Sequence, residues 1–118
     1  MSLEIATQAA EKGLAWLKES GAIYGLDVNK VDIVRLDIAS ECQCVLGQLG
    51  PGYSYMVVRL MNAGAISSDQ REAYDWLIEH GFKAAGWFDG ATGAFASRPQ
   101  YDELNAAWTR VLAADRAQ

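Results

Sequence analysis

Apolar residues return every three or four positions through most of this chain, and glycine or proline follows where each pattern ends. A period near 3.6 buries one face of an α-helix, so the core must be built from helices. Residues 2–20 show it first. Leu3, Ala6, Ala10, Leu14 and Leu17 share one face, and Ile5, Ala9 and Trp16 form an adjacent stripe. The arc is wide, which predicts a helix lying deep against the core. Ser2 is suited to the N-cap and Gly21 to the C-terminal stop.

The period returns further on. Ser40 with Gln43 reads as a capping box opening a second helix, ended by Gly50-Pro51-Gly52. A third covers 53–63, with Tyr53, Met56, Val57 and Leu60 on one side and Gly64 as its stop. Ser67 with Gln70 opens a fourth, running to His80 and closed by Gly81. Arg98-Pro99 sets proline at the first position of the last helix, where Tyr101, Leu104, Trp108, Val111 and Leu112 form one stripe. The tail 115–118 is expected to fray.

Two stretches read differently. Val31 to Ile38 alternates imperfectly, as a short strand or an extended loop. Gly86 to Phe95 has turn chemistry at Asp89-Gly90 and Gly93, as a loop or small hairpin. The expectation is a mostly α fold: one domain over 1–118, a bundle of four to six helices with one short hairpin or extended segment.

A net charge of −5, with ten Lys and Arg spread without a run, argues against direct binding of nucleic acid or an anionic membrane. No apolar run reaches the length of a membrane span. The opening MSLEIATQAAEKG has no basic region leading into an apolar core, and two cysteines suit a reducing cytoplasm.

Those cysteines lie in Ser40-Glu41-Cys42-Gln43-Cys44-Val45-Leu46-Gly47-Gln48. On an intact helix Cys42 and Cys44 point about 200° apart and cannot grip one ion. Two Cys and one His also fall short of the four ligands of a structural zinc site. Neither a metal nor any other cofactor is expected. Cys42 belongs with Val45, Leu46 and Leu49 in a core stripe. Cys44 is left on the other side beside Gly47 and Gln48, where a glycine suggests close approach of another backbone. That side is either packed or the wall of a surface groove.

Leu36-Asp37-Ile38 followed by Cys44-Val45-Leu46-Gly47-Gln48 resembles a signature in small proteins of actinobacteria and their phages. Tyr101-Asp102-Glu103-Leu104 with Ala107-Trp108 resembles the helix that closes those proteins, and Gly81-Phe82 matches a Gly-Phe between them. Members of that family often carry Cys-x-x-Cys just before Val-Leu-Gly-Gln. Here Glu41 takes the first place and Cys42 is shifted by one, against a shared dithiol chemistry. The family brings no assigned reaction. The resemblance implies a context, a phage or prophage accessory gene in a bacterial host cytoplasm, and marks Asp37, Cys44, Gly47, Gln48 and Trp108 as signature residues.

His80, the only histidine, sits where a helix end offers carbonyls to cap. No nucleophile elbow, Walker loop or dinucleotide fingerprint occurs. Three functions stay open. The first is a non-enzymatic accessory protein that binds a host protein, with Trp87, Phe88 and Asp89 as its exposed surface. The second is an acidic decoy imitating nucleic acid, with Asp69, Glu72, Asp75 and Glu79 on one side of a helix. The third is a thiol enzyme using Cys44. The wide apolar arc of the first helix would also suit a homodimer.

Overall fold

A computed structural model of the chain describes residues 3–84 and 97–118. Helix α1, Leu3–Ser20, is its centre. It packs against α5 (Ser97–Arg116), against α4 (Gln70–Glu79) and against the 3₁₀ turn that follows it. Ala6, Ala9, Ala10, Gly13, Leu14 and Leu17 are its buried positions. The small residues among them let neighbours come close. A Cβ on Gly13 would lie 2.8 Å from the Trp108 ring, and one on Gly81 would lie 2.9 Å from the Ala9 backbone. The chain covers most of the apolar arc of α1 in this way, while Ile5 in its second stripe stays about half exposed.

α1 ends at Ser20, with Gly21 just past its end as expected. The chain tightens into a 3₁₀ turn over Gly21–Tyr24 and reverses at Gly25, whose φ of 76° is left-handed. Asp27 caps a second such turn, Val28–Lys30, by accepting from the Asn29 N–H. No strand forms over 31–38. Asp32 and Asp37 each accept from the N–H two residues on, at Val34 and Ala39, and these Asx turns bend the chain away from an extended course. Val31 and Ile38 still reach the core as separate anchors.

Helices α2 (Val45–Gln48) and α3 (Tyr53–Asn62) pack on each other, and Gly64 reverses the chain after α3. α4 is capped by Asp69, which accepts from the Arg71 and Glu72 N–H groups; Ser67, the expected cap, instead accepts from Asp69 N–H. Gly81 closes α4 with φ 73°, as expected. In α5, Tyr101, Leu104, Trp108 and Leu112 are buried and Val111 is half-buried. α5 begins at Ser97, so Pro99 falls within the first turn, where its missing N–H costs no helical bond. The tail is tied down further than expected. Lys18 pairs with Asp115 at 2.6 Å, and the Arg116 guanidinium donates to the Val28, Asn29 and Val31 carbonyls at 3.2, 3.4 and 2.5 Å.

The architecture is thus mostly α and single-domain, with five α-helices and no strand among the described residues. Its radius of gyration, 13.6 Å, matches the roughly 13.5 Å of a compact domain of this length. No described helix is long and apolar enough to cross a membrane.

Candidate functional site

The 40–48 signature folds differently from the expected helix. Ser40 does cap locally: its hydroxyl accepts from the Cys42 and Gln43 N–H groups at 3.3 and 3.2 Å. The helix nevertheless fails to start there. The Glu41 carbonyl, which would accept from residue 45, instead accepts from Tyr53 N–H at 2.8 Å. The Glu41 carboxylate accepts from Ser54 N–H at 2.6 Å and from the Ser54 hydroxyl at 2.9 Å. Glu41 therefore caps α3 across the chain, a task Gly52 cannot perform with no side chain. The position that departs from the resembled Cys-x-x-Cys has its own structural work.

The helical bonds begin one turn later, with Cys44 as the N-cap of α2. This overturns the expected place of Cys42 and decides between the two readings of Cys44. Cys42 is exposed, not in the core stripe, and Cys44 is buried at 1% exposure. The Cys44 sulfur accepts from Gly47 N–H at 3.3 Å. Burial, and next to it the negative charge of Glu41, push this thiol up to about 11, with the Gly47 bond acting the other way. At pH 8 about one part in a thousand is thiolate, so Cys44 makes a poor nucleophile. Titration with a small alkylating reagent is expected to count one fast thiol in the native protein and two in denaturant. Cys42→Ser should remove the fast one. Native modification of Cys44 would reopen the enzyme reading.

Gly47 admits the close backbone approach its position suggested, from the Glu41 turn itself. Gln48 is a clamp. Its side-chain oxygen accepts from Asp32 N–H at 2.6 Å, and its amide donates to the Asp32 and Gln43 carbonyls at 3.2 and 2.9 Å. Asp37 closes its own Asx turn, and its N–H donates to the Gln43 carbonyl at 3.0 Å. Trp108 is fully buried and donates its indole N–H to the Gly81 carbonyl at 2.6 Å. The signature residues thus hold the 31–48 loops and the core together.

His80 caps α4. Its Nδ1 lies 2.8 Å from the Trp76 carbonyl and so carries the proton it donates there, while the ring stacks on Trp76 at 4.0 Å. Trp16 meets Trp76 edge-on at 5.0 Å and stacks on Tyr24 at 6.1 Å. These half-buried aromatics are thus packed on one another and against the core. Trp87, Phe88 and Asp89 lie outside the described residues.

The apolar surface lies elsewhere. A groove of about 350 Å³ runs between α3 and α4, lined by Tyr53, Val57, Val58, Met61 and Tyr74 with Leu77 at its base. Val58 is 55% and Tyr74 41% exposed, and Lys83 sits over the Tyr74 ring at 4.9 Å. Tyr53 is held as a neutral phenol, raised well above the usual tyrosine range mainly by burial. The sequence signal was present in Val57-Val58: one residue faces the α3 stripe, and its neighbour has no intramolecular reason to be apolar.

On the acidic side of α4, Asp69 is spent on its cap and Glu79 pairs with Lys12 at 3.1 Å. That ion pair holds the Glu79 carboxyl below its ordinary range. No group of three or more metal-ligating side chains occurs among the described residues. No protein-family model, curated protein or solved structure matches the chain.

Proposed function

We propose that this is a non-enzymatic interaction protein that seats an apolar segment of another protein in the α3–α4 groove. The observation that carries this reading is the groove itself. Aromatic, aliphatic and methionine side chains meet there, and the fold leaves Val58 and Tyr74 about half uncovered. Contiguous exposed apolar surface of this kind marks contact sites, and tyrosine is prominent among their anchors. The context implied by the resemblance supplies the kind of partner: a host protein modulated by a phage or prophage accessory factor in a bacterial cytoplasm.

The two other readings have less to stand on. The decoy would need free carboxylates in a row, and two of its four are engaged. The thiol enzyme would need a reactive Cys44, which is buried. The test is affinity capture from actinobacterial lysate with wild type and Val58→Asp side by side, followed by binding of the purified partner. One stoichiometric partner, lost with Val58→Asp, supports the reading. Tyr74→Ala should then weaken binding about thirtyfold, the roughly 2 kcal/mol of a buried aromatic anchor. A partner held equally by wild type and both variants would remove the groove from the account.

A further inference from the structure

A second concave site opens beside the 40–48 signature, and its chemistry differs from that of the groove. It is a cleft of about 330 Å³, at the small end of ligand pockets, lined by Lys30, Asp32, Arg35, Cys42, Gln43 and Gly47. Lys30 ends the second 3₁₀ turn, Arg35 follows the Asp32 turn, and Cys42 and Gln43 come from the turn before α2. Gln48 ties these walls together: its amide bonds both Asp32 and Gln43, so the cleft is shaped before anything enters it. The side chains of Lys30 and Arg35 have no ion pair or hydrogen bond among the described residues, in a chain where carboxylates outnumber basic side chains. The one carboxylate on the wall, Asp32, accepts from its own loop at Val34 N–H. Two unpaired cations thus converge on a polar, preorganised hollow.

We propose that this cleft binds a small polyanion, a phosphate or carboxylate compound with two or more negative charges. Arg35 supplies a planar fork of donors, Lys30 a point charge, and Gln48 acts as a positioning residue. Cys42 on the wall makes occupancy measurable, and Cys44 is too buried to interfere.

The probe is a dianionic aromatic disulfide, 5,5′-dithiobis(2-nitrobenzoate), set against the neutral 4,4′-dithiodipyridine. In each reaction the Cys42 sulfur forms a new S–S bond with half of the reagent. The reagent's own S–S bond breaks, the other half leaves as a thiolate, and the thiol proton goes to solvent. At low ionic strength, Lys30→Ala/Arg35→Ala is expected to slow the anionic reagent about tenfold, the low end of local electrostatic steering, and the neutral one less than twofold. Pyrophosphate and citrate are then tested as protectants of wild type against chloride of matched ionic strength. Protection by pyrophosphate alone assigns a phosphate ligand, and by citrate alone a carboxylate ligand. If chloride protects as well as either, or the double variant reacts with both reagents like wild type, the proposal is overturned. Cys42→Ser controls for any signal from Cys44.

Discussion

Trp108→Ala is expected to remove about 3–5 kcal/mol of folding stability, the range for deleting a buried tryptophan. For a domain of this size that lowers the melting temperature by about 15 °C and takes a large share of the total stability. The indole joins three parts of the chain. Its ring lies against Gly13 of α1, where a Cβ would stand 2.8 and 2.9 Å from two ring carbons. It stacks on Phe82 at 5.7 Å, and its N–H reaches the Gly81 carbonyl where α4 ends. Trp108→Phe separates these contributions. The phenyl ring keeps a stacking partner for Phe82 but leaves the Gly81 carbonyl unsatisfied, at about 1–3 kcal/mol. Thermal or urea unfolding of the three proteins gives the ordering. A Trp108→Ala loss under about 1 kcal/mol would mean that the α1–α5 contact does not hold the fold together. Gly13→Ala should not rescue the cavity, because the added methyl also runs into the His80 carbonyl.

What could be read in advance divides along a physical line. α1, α3 and α4 were legible because each rests on its own periodicity and on a stop within the same segment, and α5 because its stripe follows a proline start signal. Gly81 and Gly64 end helices with φ of 73° and 77°, a conformation only glycine adopts freely. The 40–48 segment was not legible, although its local signal was sound. Ser40 does accept from Gln43 N–H, as a capping box requires. The decision was made elsewhere: Tyr53 and Ser54 at the start of α3 take both the carbonyl and the carboxylate of Glu41, and no window centred on Ser40 contains that competitor. The delayed helix start then turned Cys42 out of the core stripe, while Cys44 took the packed place that was one of its two readings. Gln48 was marked as a signature residue, but its partners at Asp32 lie in another loop, so its clamp could not be inferred from spacing. The α3–α4 groove was missed for a related reason. Tyr53 and Val57 were assigned to a core face, whereas in the fold both are only partly buried, beside the exposed Val58 and Tyr74.

Gly47→Ala puts the reading of the signature to its sharpest test, because helix propensity and tertiary geometry predict opposite signs. Gly47 lies within α2 with an ordinary helical backbone, so alanine should help by about 1 kcal/mol if only propensity counted. The added Cβ, however, would overlap the Glu41 carbonyl oxygen and stand 3.0 and 3.1 Å from the carbonyl carbons of Glu41 and Cys42. These are backbone atoms, and Glu41 cannot retreat without releasing Tyr53 N–H and Ser54 at the start of α3. We expect a loss of about 3 kcal/mol, at the upper end of overpacking costs. Gly64→Ala is the comparison. Its φ is 77° and nothing lies within 4 Å of the new methyl, so it should cost only the roughly 1–2 kcal/mol of a left-handed alanine. Relief of the Gly47 clash requires the 41–44 turn to move off α2, and that movement takes the Gly47 N–H away from the Cys44 sulfur. Gly47→Ala should therefore also make Cys44 alkylate in the native protein, while Gly64→Ala leaves it protected. A stabilised Gly47→Ala protein with Cys44 still silent would show that the close approach of this turn to α2 is not a feature of the folded chain.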